Sequence, residues 1–175
     1  IDDHSILRSG IKELLSTDEF KIEGGIKYFK LGTDGSCFLA TEDSKLLRIG
    51  HKKNISTILA DINIAALEVD DQNNLFICDN SGKLIRVSDG NITRSFSFNE
   101  PVGEIFVHGQ VVLVQLKSLR VFLSLNAFES DEFIEIKLES KVSVTSFLFL
   151  SHDNDSVLIG TRQGILLVYS FAFDK

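Results

Sequence analysis

One stretch of this chain repeats at a spacing of 38 residues. Residues 38–49 read Phe-Leu-Ala-Thr-Glu-Asp-Ser-Lys-Leu-Leu-Arg-Ile, and residues 76–87 read Phe-Ile-Cys-Asp-Asn-Ser-Gly-Lys-Leu-Ile-Arg-Val. The same frame extends upstream and matches Ile26, Phe29 and Leu31 with Ile64, Leu67 and Val69. Short apolar runs separated by turn residues predict several strands in each period. Such a unit has to stack against its neighbours to bury its apolar faces.

A period near 40 residues with several short strands is typical of a β-propeller blade. We therefore predict an all-β fold, a β-propeller of four-stranded antiparallel blades. About four blades follow one another, with a short helix and a linker before them over residues 1–25. The predicted blades span residues 26–62, 63–100, 101–140 and 141–175. Within the second blade we predict strands at Ile64–Val69, Asn74–Cys78, Lys83–Val87 and Ile92–Phe98.

The number of blades suggests an incomplete ring. Most propellers need more than four blades to close, and the sequence signals for the fourth unit end after three strands. The chain also begins at Ile1 and contains no Met. We expect it to be a piece of a longer polypeptide and about half of a ring. The rest would be supplied by another segment or another chain. A closed four-bladed ring is the alternative.

The first residues differ from the repeats. Apolar side chains follow a helical spacing there, and they predict an amphipathic helix over residues 5–16. The stripe consists of Leu7, Ile11, Leu14 and Leu15. These residues are candidates for a partner contact. The helix could pack against its own propeller or dock into a groove of another subunit.

Charge and composition exclude several classes of partner. The net charge is −7, which disfavours direct binding to nucleic acid or to anionic lipid. No apolar run approaches the ~18 residues of a membrane span. The two cysteines, Cys37 and Cys78, occupy non-equivalent positions of neighbouring repeats, and we expect both to be buried free thiols.

The sequence contains no motif typical of an enzyme. The histidines are scattered without a metal-ligand spacing, at positions His4, His51, His108 and His152. Acidic pairs such as Asp70-Asp71 lie where turns are expected, and turn geometry alone accounts for them. We expect no enzymatic activity, no cofactor and no metal.

Three arginines recur near the predicted third strand of successive blades, at Arg48, Arg86 and Arg120. If the strands share one pleat, these side chains form a basic ring that could bind an acidic peptide. Alternatively, they are solvated edge charges that prevent the sheets from pairing with other chains. The third blade also has an acidic insertion, Glu129-Ser130-Asp131-Glu132, which we predict to be a protruding loop.

Residues Phe29–Ile49 resemble the first three strands of a WD repeat. The matching features are the aromatic Phe29, the turn Asp34-Gly35, the strand Phe38–Thr41 and the apolar-Arg-apolar run Leu47–Ile49. A second stretch, Val157–Tyr169, is similar, and it has Tyr169 where this family often has Trp. The Trp-Asp pair that names the family is replaced at the corresponding positions by Ile49-Gly50, Val87-Ser88 and Tyr169-Ser170.

The WD-repeat resemblance implies a non-enzymatic scaffold for protein–protein interaction, a propeller subunit or segment within a larger multiprotein assembly. Its partners would be other protein subunits. It also implies an intracellular location, in the cytoplasm or the nucleus. An enzyme or ligand-binding propeller with its site outside this chain is a further possibility.

A second resemblance leads to a different function. Residues 1–15 are similar to the beginning of a bacterial response-regulator receiver domain. In that family, acids at the positions of Asp2 and Asp3 hold Mg²⁺ beside a phosphorylated aspartate, for which Asp61 is the candidate. Against this alternative, residues 26–60 are strand-like where alternating helices are needed. Asp2 and Asp3 are also well explained as acids at a helix N-terminus.

Overall fold

A computed structural model of the chain describes residues 22–50, 54–126, 128–138, 142–149 and 156–170. These residues form four antiparallel sheets that follow one another along the chain. In each sheet, sequence neighbours are hydrogen-bonded neighbours, so every sheet is a meander. The prediction of an all-β fold built from antiparallel sheets is confirmed. The predicted N-terminal helix lies outside the described residues.

The strands are numbered in chain order. The first sheet contains β1 (Ile26–Leu31), β2 (Cys37–Thr41), β3 (Leu46–Ile49) and β4 (Ile55–Leu59). The second contains β5 (Ile64–Val69), β6 (Leu75–Asp79), β7 (Lys83–Ser88) and β8 (Asn91–Ser97). The third contains β9 (Val102–His108), β10 (Val111–Leu116), β11 (Val121–Ser124) and β12 (Ile134–Ile136). In the fourth, the described strands are β13 (Val144–Phe149), β14 (Ser156–Thr161) and β15 (Leu166–Ser170).

The middle strands of the sheets are apolar on both faces. Every residue of β10 is buried, and β6 is buried from Leu75 to Cys78. Fully buried strands have near-continuous apolar sequences, because each face meets another layer. The outermost strands differ, since β8 is mostly exposed and has polar residues at alternate positions. The apolar pattern thus places β6 and β10 inside the structure and β8 at its periphery.

The sheets stack face to face in chain order. The first strands of successive sheets lie side by side, β1 beside β5, β5 beside β9 and β9 beside β13. A separate apolar cluster fills each junction. Phe38 and Leu46 meet Ile77 between the first two sheets. Between the second and third sheets, Phe76 belongs to the same cluster as Val114.

The third junction also contains a buried polar link. Leu113 and Leu123 of the third sheet meet Ile159 of the fourth. Beside this cluster the side chain of Gln115 is 2% exposed. Its Nε2 donates to the carbonyl oxygen of Val142 at 2.9 Å, and its Oε1 accepts from the backbone N–H of Val144 at 3.0 Å. A buried amide must find partners for both of its ends, so Gln115 fixes how the fourth sheet starts against the third.

We predict that replacing Gln115 by Ala destabilises the protein by about 1–3 kcal/mol, because the buried N–H of Val144 and C=O of Val142 lose their partner. Equilibrium unfolding in denaturant measures the change. Gln163→Ala is the matched control, since Gln163 accepts from the N–H of Ser143 in an exposed position at the same junction. Equal effects of the two substitutions would contradict the role given to Gln115.

Candidate functional site

Two of the three arginines singled out in the sequence occupy equivalent positions. Arg48 on β3 lies opposite Phe38 on β2, and Arg86 on β7 lies opposite Phe76 on β6. Each guanidinium stands over the ring of its partner, with 5.8 Å from the Arg48 Cζ to the Phe38 centroid and 5.9 Å for the second pair. Both distances are within the range of cation–π attraction. The repeat therefore places the same Phe–Arg pair at the first and the second junction.

The structure does not bring Arg120 to this position. Arg120 precedes β11, at the opposite end of the third strand from Arg48 and Arg86. It makes two hydrogen bonds to the carboxylate of Glu135, at 2.8 and 3.0 Å, and its guanidinium lies over the ring of Phe122. The sequence spacing could have shown this difference, because Arg86 follows Arg48 by 38 residues and Arg120 follows Arg86 by 34.

The charge of Arg48 is balanced by a carboxylate of its own sheet. Its Nη2 donates to Asp34 Oδ2 at 2.6 Å. A hydrogen bond from the Ser36 hydroxyl, and to a lesser degree the guanidinium of Arg48, lower the pKa of Asp34. Asp34 is therefore charged at neutral pH. The side chains of Arg48 and Asp34 are both partly exposed, so this ion pair contributes little to stability.

A pocket of about 320 Å³ opens between the first and second sheets beside Arg48. Its apolar part is formed by Phe38, Ile58, Leu75 and Val87. Asp34, Arg48, Gln72, Asn73 and the turn Asp89–Gly90 are among its polar lining. Among the described lining residues, the charged groups are thus one guanidinium and two carboxylates. Most of the lining is therefore polar, and the apolar side chains form one side of a concave site that could hold a small ligand or a side chain.

The corresponding place between the second and third sheets is filled by the chain itself. The connection between β11 and β12 enters this junction and buries Phe128 completely. The ring of Phe128 lies 6.4 Å from that of Phe96 and 5.5 Å from that of Phe133. The adjacent Glu129 accepts hydrogen bonds from Arg86 through its carboxylate and from Arg94 through its backbone carbonyl.

This connection corrects the sequence prediction of a protruding loop. Glu129 is exposed, but it is held by two arginines of the preceding sheet, and Phe128 is part of the core. Phe128 has φ = 61°, a backbone conformation that a bulky side chain adopts only where its surroundings enforce it. The sequence signal that was missed is Phe128, the apolar residue directly before the acidic run. Its side chain anchors the loop.

The outer face of the fourth sheet exposes a row of apolar side chains. Leu158 lies between its cross-strand neighbours Leu148 and Val168. Leu148 is 54% exposed, Val168 62% and the nearby Leu166 66%. On the third sheet the comparable row, Leu113 with Phe106 and Leu123, lies in the junction with the fourth sheet. Among the described residues, the same kind of face is therefore covered on the third sheet and open on the fourth.

Several sequence candidates have no described surroundings. Leu7, Ile11, Leu14 and Leu15 lie outside the described residues, as do Asp2 and Asp3. Asp61 is exposed in the turn between β4 and β5, with φ = 58°, and every described strand pair is antiparallel. A receiver domain requires a parallel sheet with its phosphorylated aspartate at a strand end. The structure therefore gives the receiver alternative no support.

The described part of the chain shows no group of three His, Cys, Asp or Glu side chains placed to hold a metal ion. Both cysteines are free thiols, with Cys78 fully buried and Cys37 partly buried, and burial raises the pKa of each. Among the described residues, no helix has the length and apolar character needed to cross a membrane.

No protein-family model and no curated protein sequence matches the chain. Solved structures do match it. The β-propeller domain of Cps50 (Swd1) from Myceliophteria thermophila has a TM-score of 0.69 and 16% sequence identity, over 88% of this chain and 54% of that one. A chain of the mitotic checkpoint complex matches with a TM-score of 0.68 and 11% identity, over 86% and 51% of the two chains. The N-terminal part of BBS1, crystallised in complex with ARL6DN, matches with 0.66 and 12%, over 89% and 55%.

These similarities confirm the predicted fold. The four stacked sheets are blades of a β-propeller. The chain spans about half the length of each of these three structures. At these levels of identity the similarity extends to the fold and not to the individual binding sites.

We predict that Phe128→Ala destabilises the protein by about 3–5 kcal/mol, because it leaves a cavity where an aromatic side chain is fully buried. The backbone strain at positive φ is unchanged, since alanine has a similar preference there. Phe29→Ala is the control, because Phe29 is 48% exposed on β1 and its loss should change the unfolding free energy by only about 0.5 kcal/mol. A small effect at both positions, measured by chemical denaturation, would show that the β11–β12 connection is not part of the core.

Proposed function

We propose that this chain is a divergent WD-repeat-like propeller segment that acts as a non-enzymatic scaffold for protein–protein interaction within a multiprotein assembly. The observation that favours this function is the open apolar face of the fourth sheet. A β-propeller blade that presents apolar side chains on both faces is stable only when each face meets another layer. Leu148, Leu166 and Val168 have no such cover among the described residues.

The occupant of this face is a further antiparallel sheet that presents an apolar surface of its own. The apolar clusters at the three junctions indicate this chemistry, because each cluster combines apolar side chains of two neighbouring sheets. The length comparison with the three propeller structures named above supports the same occupant, since this chain spans about half of each of them. Another subunit or another segment would supply the sheet and complete the propeller.

The partners we propose are other protein subunits. Among the similar structures, one belongs to the mitotic checkpoint complex and another was crystallised with ARL6DN. By analogy, loops at the faces of the ring are suitable places for partner contacts, with Arg48 among the candidates. Arg86 and Arg120 are also candidates, and all three arginines are paired with carboxylates of this chain.

The apolar stripe of Leu7, Ile11, Leu14 and Leu15 remains a proposed contact, either with this propeller or with another subunit. A scaffold of this type would work in the cytoplasm or the nucleus. Buried free thiols such as Cys78 agree with a reducing compartment.

We predict that the double substitution Leu166→Lys and Val168→Lys weakens assembly about tenfold or more, because two charged groups would have to be buried in an apolar interface. Affinity for the partner or for the completing segment, measured by sedimentation, reports the change. Ile92→Lys is the matched control, since Ile92 is also an exposed apolar residue, at 54%, on the outermost strand of the second sheet.

Circular dichroism checks that each variant is folded. We expect all of them to fold, because the substituted residues are exposed. A photo-reactive residue at position 168 identifies what lies on this face, and it should cross-link to a strand of the partner more strongly than the same residue at position 92. Assembly that is unaffected by the double substitution would exclude the fourth sheet as the interface.

A further inference from the structure

The first and second junctions of the stack are built alike but are closed differently. On one side, the Phe38–Arg48 pair of the first junction corresponds to the Phe76–Arg86 pair of the second. On the other side, each junction is bordered by the connection that follows the third strand of the next sheet. For the first junction this connection is the turn Asp89–Gly90, and for the second it is the stretch between β11 and β12.

The strand registers show which residues correspond. Phe76 of the second sheet and Leu113 of the third both face the following sheet, and the residues opposite them are Arg86 and Leu123. Beyond Arg86, the second sheet passes through the short turn Asp89–Gly90 into β8. Beyond Leu123, the third sheet has the longer connection that places Phe128 in the second junction. The turn Asp89–Gly90 inserts no ring of this kind, and the pocket of about 320 Å³ lies beside it.

The second junction, which Phe128 enters, indicates what the pocket at the edge of the first junction can hold. Phe128 packs in the cluster that contains Phe76, and the next residue, Glu129, gives its carboxylate to Arg86. In the pocket, the partly buried Ile58 lies beside the buried Phe38 and Leu75, and Arg48 stands where Arg86 stands. The volume is at the lower end of the ~300–1,000 Å³ typical of ligand pockets, which suits one aromatic side chain and its adjoining backbone.

We propose that the pocket between the first and second sheets binds a short segment of a partner protein in which an aromatic residue is followed directly by an acidic one. The aromatic ring enters beside Phe38 and Ile58, and the carboxylate pairs with Arg48. This inference names the chemistry of one partner of the scaffold and in that respect rests on the proposed function. It is independent of the interface on the fourth sheet.

The charges of the pocket determine how selective the site is. Arg48 already pairs with Asp34, so an incoming carboxylate has to share or replace that partner. The exchange costs little, because both side chains are partly exposed and such pairs are weak. Asp89 lies at the exposed rim, where solvent screens its repulsion. Ser56 stands at the position equivalent to Arg94, so the peptide carboxylate meets one arginine instead of two.

The probe for this site is a capped peptide with the sequence of residues 125–131, Leu-Asn-Ala-Phe-Glu-Ser-Asp. It is titrated into the full chain, and binding is followed by amide chemical shifts in NMR spectra. We expect shifts to concentrate at Phe38, Arg48, Ile58 and Gly90. A peptide with Phe128→Ala should bind at least about tenfold more weakly, because it loses the burial of an aromatic side chain.

Further variants of the peptide and the protein test the pairing between the acidic residue of the peptide, Glu129, and Arg48. A peptide with Glu129→Lys and a protein with Arg48→Gln should each weaken binding by ~2- to 5-fold, the range of an exposed ion pair. Arg48→Glu should restore binding of the lysine peptide. Lys45→Gln is the matched control, because Lys45 is ion-paired with Asp43 and as exposed as Arg48 but does not line the pocket, and it should leave binding unchanged.

Three results would overturn the proposal: no binding at millimolar peptide, equal binding of the alanine and phenylalanine peptides, or tighter binding of the lysine peptide to the unchanged protein. The last would show that Asp34 and Asp89 dominate the pocket. Peptide binding should persist in the Leu166→Lys and Val168→Lys variant. Loss of peptide binding with intact assembly at the fourth sheet would overturn this site alone and leave the scaffold role in place.

Discussion

The stack depends on the burial of apolar side chains on both faces of each sheet. A sheet such as β5–β8 directs Ile77 and Ile85 toward the preceding sheet, and Phe76 and Leu84 toward the following one. Neither face is stable in water by itself, so each sheet needs two neighbours. The junctions satisfy this requirement within the chain three times. At the outer face of the fourth sheet no other described residues meet the requirement, and this is the physical basis of the proposed scaffold role.

The connection after the third strand decides whether a junction is closed or open. In the second sheet this connection is the short turn Asp89–Gly90, which keeps the sheet regular and leaves space beside Arg48. In the third sheet a longer connection inserts Phe128 and Glu129 into the neighbouring junction. Glu129 is exposed to solvent, which screens its ion pair with the largely buried Arg86, so the buried ring supplies most of the binding energy. One repeat architecture thus produces a closed junction and a pocket from the same Phe–Arg pair.

Much of the fold could be predicted from the sequence, because a repeat with period-two strands leaves few alternatives. The strand predicted at Ile64–Val69 has the observed bounds, and those predicted at Asn74–Cys78 and Lys83–Val87 differ by one residue. Turn residues such as Asp89-Gly90 marked the ends of the strands. The turns between strands require positive φ angles, which Gly and Asp adopt more readily than other residues. The loss of the Trp-Asp pair did not alter the fold, because the apolar rows and not that pair define the junctions.

The candidate site could be predicted only in part. The recurrence of Arg48 and Arg86 was visible as a 38-residue repeat, whereas Arg120, at a different spacing, belongs to another place in its sheet. The pocket and the burial of Phe128 depend on how two sheets meet, and no local pattern specifies that contact. Hydrophilic residues after Phe128 suggested a protruding loop, but Arg86 and Arg94 of the preceding sheet hold Glu129 in place. The position of this loop therefore depends on contacts between residues that are 35 and 43 positions apart in the sequence.

The central claim is that the outer face of the fourth sheet is a buried interface in the assembled protein. Side-chain footprinting with a carbene reagent measures this directly, by comparing Leu166 and Val168 in the purified chain with the same residues in the complex from its native source. The account predicts strong labelling of both residues in the chain alone and protection in the complex, with Ile92 labelled equally in both samples. Equal labelling of Leu166 and Val168 in the two samples would contradict it.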